Sequence, residues 1–141
     1  MKPFFDTSVL VAAVLEDHEH HSRSFSALSK ANRSSAFCAA HNLAEVYATL
    51  TRYPGKQRLS AEQALLSLSV FENRLTIVAL EAREYMAAIR RFATMGVTGG
   101  TTYDALIAAC ALKTDADVLY TWNIGHFMLL GDEVARKVRT P

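Results

Sequence analysis

The chain has 141 residues, of which 50% are hydrophobic and 21% are charged, and its formal net charge is +1. This length and composition predict one compact domain spanning residues 1–141 and argue against a disordered chain. A charge so close to zero excludes a general basic field for nucleic acid, so any attraction for a polyanion must be local. No apolar run approaches the ~20 residues that a membrane span needs. Because polar Asp6 interrupts the start of the chain, we also expect no signal peptide, and therefore a cytoplasmic protein.

Strands and helices alternate along the sequence. The predicted elements are, in chain order, a strand at 2–5, a helix at 8–15, a strand at 35–39, a helix at 42–51, a helix at 60–72, a strand at 75–80, a helix at 81–95, a helix from 101 or 102 to 113, a strand at 118–121 and a last short strand near 133–138. Thr7 or Ser8 is expected to cap the first helix, and Thr101 or Thr102 the last one. The strands are continuous apolar runs, which is typical of a sheet covered on both faces. The alternation predicts an α/β fold with a mainly parallel sheet of four or five strands.

Four polar residues stand inside otherwise apolar stretches, namely Asp6, Glu45, Asp104 and Asn123. A buried carboxylate is costly unless it is paired, protonated or bound to a metal, and these stretches contain no Lys or Arg. Asp6 ends the first predicted strand, and Asn123 follows the fourth. Glu45 and Asp104 fall in the first turns of helices at the same edge, so all four can converge where ligands collect in parallel sheets. Taken singly, each could instead cap a helix or sit in a turn.

Such a cluster of oxygen ligands suits Mg²⁺ or Mn²⁺, because carboxylates, an amide and retained waters match a hard octahedral ion. The reaction that this site predicts is metal-assisted hydrolysis of a phosphodiester, in which the ion activates a water molecule.

The segments FDTSVLVAA, AEVYATLTR, YDALIAACAL and ADVLYTWNIGHF resemble the PIN-domain family, and within it the VapC-type toxins of bacterial toxin–antitoxin pairs. The resemblance covers essentially the whole chain and implies a Rossmann-like α/β/α nuclease that depends on Mg²⁺ or Mn²⁺ and cuts RNA. It places the family's acids on Asp6, Glu45 and Asp104. Many members carry a fourth Asp where this chain has Asn123. Thr121 falls where members often place a hydroxyl near the water on the metal.

The leading hypothesis is therefore a metal-dependent endoribonuclease, the toxin of a type II toxin–antitoxin system. The resemblance also implies two protein partners, a VapB-type antitoxin that covers the site and a second copy of the chain in a homodimer. An alternative from another class is a catalytically inactive PIN-like module that binds RNA or protein, although the intact acids argue against it. A small-molecule phosphatase is a third reading, for which the chain carries no dedicated motif.

Three basic residues, Arg52, Lys56 and Arg58, follow the helix that carries Glu45. We hypothesise that they form one arm of the RNA path, while ordinary solvated surface is the simpler explanation of any one basic cluster.

Histidines occur near two of these features. His41 precedes Glu45 by four residues and would share its helix face, either as a structural hydrogen-bond partner or at the rim near the substrate. The histidine-rich segment 17–21 is interpreted as a solvated helix start. A zinc site is disfavoured there, because no partner pair stands elsewhere at zinc spacing.

Overall fold

The computed structural model describes residues 1–141 and contains five strands and eight α-helices. The strands are β1 (Pro3–Phe5), β2 (Phe37–Ala39), β3 (Thr76–Val78), β4 (Val118–Tyr120) and β5 (Val138–Arg139). The helices are α1 (Thr7–Val14), α2 (His21–Ser29), α3 (Ala40–Arg52), α4 (Ala61–Arg74), α5 (Ala82–Ala93), α6 (Thr101–Leu112), α7 (Ile124–Met128) and α8 (Asp132–Ala135). A short 3₁₀ helix, Gly55–Gln57, follows α3.

All five strands are parallel and form one sheet in the order β3-β2-β1-β4-β5. Strand β1 lies in the middle, where Phe4 pairs with Phe37 of β2 on one side and with Leu119 of β4 on the other. The strand order reverses at β1, so the carboxyl ends of β1 and β4 border the crevice in which open α/β sheets bind ligands. The predicted α/β fold with a parallel sheet is confirmed.

Helices cover both faces of the sheet, and two hydrophobic cores result. Adjacent residues of β1 point to opposite faces, so Phe4 lies in one core and Phe5 in the other, and both are fully buried. The core around Phe5 includes residues of α1, α2, α3 and α4, and the core around Phe4 includes residues of α5, α6, α7 and α8. β1 is thus held from both sides, which gives the residue that follows it a rigid support.

The structure differs from the predicted elements mainly where the apolar periodicity is weak. Only the start of helix α2 was predicted, because the helix buries only Ser24 and Leu28 and its other residues are mostly polar. The short helices α7 and α8 were not predicted either. β5 is shorter and later than the expected strand near 133–138, because the first half of that stretch belongs to α8.

The two predictions about helix caps were wrong. Asp6 itself caps α1, because its side chain accepts a hydrogen bond from the main-chain N–H of Ser8. The residue that precedes α6 is Gly100, which has no side chain to make a cap, and Thr101 is already helical. No helix combines the length and the apolar character needed to cross a membrane.

Candidate metal and nucleic-acid site

Asp6 directly follows the central strand and is only 2% exposed. Its Oδ2 accepts hydrogen bonds from the Thr121 hydroxyl at 2.7 Å, the Ser8 hydroxyl at 2.9 Å and the Ser8 main-chain N–H at 3.4 Å. Thr121 directly follows β4 and is itself fully buried. The ends of the two neighbouring strands therefore fix this carboxyl group between them.

Burial raises the pKa of Asp6 from its usual 3.8 to about 6. The hydroxyls of Thr121 and Ser8 oppose this shift, and the negative charge of Asp104 adds to it. Burial also raises the pKa of the half-buried Asp104, while His126 opposes that shift and the charge of Glu45 adds to it. The three acids are therefore electrostatically coupled, and together they favour the approach of a cation.

Glu45 lies on α3 and is oriented by two side chains. The Thr7 hydroxyl donates to Glu45 Oε1 at 2.8 Å, and Asn42 Nδ2 donates to the same Thr7 hydroxyl at 2.8 Å. Asn42 is fully buried, and its Oδ1 accepts from the main-chain N–H of Ala39 at 2.7 Å. Ala39 is the last residue of β2, so this series of three hydrogen bonds connects the end of that strand to the Glu45 carboxyl group and orients it.

A histidine accompanies each of the two less buried acids. His126 Nδ1 lies 3.2 Å from Asp104 Oδ2, and His41 Nε2 lies 3.8 Å from Glu45 Oε2. The His41 ring also stacks on Tyr103, with their ring centroids 5.5 Å apart and a 7° angle between the planes. Phe127 is the buried residue of this turn, whereas the His126 side chain is 64% exposed.

Asn123 lies at the end of the same edge, immediately before α7, and is exposed. Its main-chain N–H donates to the Thr121 hydroxyl at 2.9 Å. Thr121 thus links the backbone of Asn123 to the carboxyl group of Asp6 from a fully buried position. Its position makes it a support for Asp6.

The predicted acids and the amide line one open cavity of about 680 Å³. Asp6, Glu45, Asp104 and Asn123 all line it, whereas Thr121 does not. The convergence expected from the order of the strands is therefore present in the structure.

Of the three basic residues proposed for the RNA path, one reaches this cavity. Arg52 is the one Arg or Lys among its lining residues. Lys56 borders a separate hollow beside Glu16 and Asp17. The Arg58 Nε donates to the main-chain carbonyl of Tyr53 at 2.9 Å.

The solvated helix start expected at 17–21 is present, because α2 begins at His21, but the segment also lies beside the acids. His18, Glu19 and His20 line the same cavity as the acids. Burial lowers the pKa of His18, whose Nδ1 accepts the main-chain N–H of His20 at 3.1 Å. Nothing in the local sequence shows this placement, because it depends on how α2 packs against α1.

The donor set fits a hard divalent cation in its chemistry, since it offers carboxylate and amide oxygens whose mutual repulsion a cation would relieve. No three His, Cys, Asp or Glu side chains are packed closely enough to enclose an ion by themselves.

The chain matches the PIN domain family over residues 4–124. It is 37% identical over 116 residues to the ribonuclease VapC40 of Mycobacterium tuberculosis, covering 81% of each chain. It is 34% identical over 120 residues to the ribonuclease VapC27 of the same species, covering 84% of each chain.

Two solved structures have a similar fold. The crystal structure of M. tuberculosis VapC20, a toxin that cleaves the sarcin-ricin loop, has a TM-score of 0.70 at 16% identity and covers 86% of this chain and 90% of its own. The structure of VapBC2 from Rickettsia felis, bound to a DNA fragment from their promoter, has a TM-score of 0.66 at 22% identity and covers 99% of this chain and 98% of that chain. The chain belongs to the PIN-domain family and is a VapC-type member of it.

Proposed function

We propose that this protein is a Mg²⁺- or Mn²⁺-dependent endoribonuclease and the toxin of a type II toxin–antitoxin system. The observation that carries this proposal is the meeting of Asp6, Glu45 and Asp104 on one open cavity at the reversal point of a parallel sheet. VapC-type relatives that are named ribonucleases support RNA as the substrate.

Asp6, Glu45 and Asp104 would hold the divalent ion, with Asn123 as a fourth oxygen donor. When bound there, such an ion supplies an activated water and offsets negative charge on the phosphate. The carboxylates themselves repel a phosphodiester, so their neutralisation by the ion is also what lets the substrate approach.

The surrounding residues orient these acids and the substrate. Thr121 and Ser8 keep Asp6 turned toward the cavity, and Thr7 does the same for Glu45. Arg52 supplies a positive charge at the cavity wall, where it can bind a phosphate next to the one that is cleaved.

The partner that we propose is a VapB-type antitoxin. Four carboxylates, those of Asp6, Glu19, Glu45 and Asp104, line the cavity with one arginine and would attract a cationic side chain. A charge-assisted contact there would both bind the antitoxin and exclude the metal. The R. felis relative, described as a VapBC2 complex, supports such a partner. We also expect the chain to form a homodimer, which light scattering of the purified protein would test.

The central experiment is cleavage of total cellular RNA by the purified full chain. We expect cleavage with Mg²⁺ or Mn²⁺, none with EDTA and none in Asp6→Ala. Glu72→Gln is the matched control, because it removes an exposed carboxylate of α4 that is outside the cavity. Cleavage that survives in Asp6→Ala would overturn the assignment of the site.

The ends of the products test the mechanism. Attack by a water molecule leaves a 5′-phosphate and a 3′-hydroxyl, whereas attack by the 2′-hydroxyl of RNA leaves a cyclic phosphate and normally needs a paired acid and base. Ligation assays separate these ends. RNA that is bound but never cut, with any metal, would instead favour the inactive binding module.

A further inference from the structure

Trp122 is the one tryptophan of the chain, and it is fixed beside the acids. Its main-chain N–H donates to the Ser8 hydroxyl at 2.9 Å, and that hydroxyl in turn contacts Asp6. At the other end of the side chain, the indole Nε1–H donates to the hydroxyl of fully buried Ser24 at 2.8 Å. Trp122 is therefore held by hydrogen bonds at its main chain and at its indole nitrogen, with Ser8 connecting it to Asp6.

His20 stacks on this indole. The ring centroids lie 3.7 Å apart and the planes are inclined by only 7°. Both rings line the cavity that contains Asp6, and the His20 side chain is 35% exposed. The His20 ring is therefore partly exposed at the wall of the acidic cavity, where the ring of His18 lies 5.7 Å away and is tilted by 42°.

The start of α2 does not explain this arrangement. His20 occupies the N-cap position, but its side chain makes no capping hydrogen bond. Its Nε2 lies 3.5 Å from the carboxylate of Glu19, whose side chain is 81% exposed, a contact that contributes little in water. The main-chain N–H of His20 is bound by His18 Nδ1, so the backbone is fixed while the ring is left for stacking.

A nucleobase is the ligand that this surface fits. When a phosphate of an RNA strand reaches the acids, the bases on either side of it must lie along the cavity wall. Flat aromatic rings bind unpaired bases by stacking, whatever the sequence. The Arg23 guanidinium lies 5.3 Å from the Trp122 ring centroid and adds a positive charge to the same cluster.

We propose that the His20–Trp122 pair is a stacking subsite for one unpaired base of an RNA strand, next to the phosphate that is cut. The base stacks on the exposed part of the His20 ring and continues the stack that Trp122 begins. This inference rests on the proposed ribonuclease function, and it identifies one place where the RNA is bound.

The test uses the full chain carrying Asp104→Asn, in Mg²⁺, so that RNA is bound without being cut. Short oligoribonucleotides of U, C or A are titrated while the fluorescence of the single Trp122 is followed. An abasic nucleotide is then moved along the best-bound oligonucleotide. We expect quenching by the intact strand, and one abasic position at which quenching is lost and Kd rises roughly 5- to 100-fold. Equal affinity and quenching at every abasic position would overturn the subsite.

Substitution of the stacking ring provides the second arm. His20→Ala should raise Kd by a similar factor, while His20→Phe, which restores a flat ring, should bind nearly as the parent does. Tyr85→Ala is the matched control, because it removes an exposed aromatic ring outside the cavity. Tighter or unchanged binding of RNA by His20→Ala would contradict stacking of a base on the His20 ring. Circular dichroism confirms that each variant is folded.

Cleavage by the unsubstituted chain separates this inference from the proposed function. If the chain cuts RNA but no abasic position matters, the subsite is wrong and the ribonuclease stands. If the chain neither cuts nor binds RNA, both are wrong.

Discussion

The Thr7 hydroxyl donates a hydrogen bond to Glu45 Oε1, and the direction of this bond is set by Asn42, which donates to the Thr7 oxygen. Asn42 Oδ1 is occupied by the main-chain N–H of Ala39, so Asn42 presents its Nδ2 to Thr7. The oxygen of Thr7 then accepts from Asn42, and its one hydrogen is left for Glu45. A relay of neutral side chains thus orients the Glu45 carboxyl group.

Thr7→Val should keep the shape of the side chain and remove the hydrogen bond to Glu45. We expect activity or metal affinity to fall roughly 10- to 100-fold, as when other partners that orient a metal ligand are removed. Thr7→Ser keeps the hydroxyl and serves as the control. Cleavage rates and Mn²⁺ titrations should be measured together, and equal values in the Val and Ser variants would show that the relay does not orient the acid.

Asp6→Asn should change how the stability of the metal-free protein depends on pH. The pKa of Asp6 is about 6 in the folded chain against its usual 3.8, so the fold favours the protonated form. The stabilisation of the folded state by protonated Asp6 is fully present below pH 3.8. It is lost as the pH rises through about 6, which lowers the free energy of unfolding by roughly 3 kcal/mol. Urea unfolding in EDTA between pH 4 and pH 8 should therefore show a smaller loss of stability in Asp6→Asn than in the parent. Parallel curves would mean that Asp6 is ionised without penalty.

The charge of the acid cluster should determine its metal affinity. Asp6→Asn, Glu45→Gln and Asp104→Asn should each weaken Mn²⁺ binding, whereas Asn123→Asp, which adds a carboxylate, should strengthen it. Isothermal titration calorimetry measures all four, with Glu72→Gln as the control. Unchanged affinity in Asn123→Asp would place Asn123 outside the set of ligands.

Arg52 and Arg58 should differ in their effect on RNA binding. Arg52 lines the cavity, and its replacement by Ala should weaken binding and reduce the salt slope by roughly 0.7, the value for one lost contact to a single strand. Arg58→Ala removes the same charge from the neighbouring loop, where the side chain already bonds to a carbonyl, and it should change the slope less. Filter binding over a range of salt concentrations checks this. Equal slopes in both variants would mean that only overall charge matters.

The sequence was sufficient to predict the parallel sheet and the meeting of the acids at one edge. The strands are recognisable because they are runs of apolar residues, and polar residues that interrupt those runs mark the strand ends. It was not sufficient for the contacts that orient the acids. Asn42 reaches Thr7 across 35 residues of chain, and the Trp122 indole reaches Ser24 across 98. Such contacts leave no local periodicity, because they depend on how the helices pack.

His126 shows the same difficulty at shorter range. A histidine next to buried Phe127 reads as part of a packed turn, but α7 turns its ring outward to Asp104. Burial of the Phe127 side chain determines the orientation of this five-residue helix. The direction of the neighbouring His126 side chain follows from that orientation.

The hydrogen bond between Asp6 and Thr121 joins residues that are 115 positions apart, and β1 acquires its neighbour β4 only when residues 118–120 are present. Residues up to Thr121 must therefore be synthesised before Asp6 is held in place. A growing chain that ends before residue 118 lacks this site, whatever RNA surrounds it. For the ribonuclease that we propose, this order of assembly delays activity until those residues have been made.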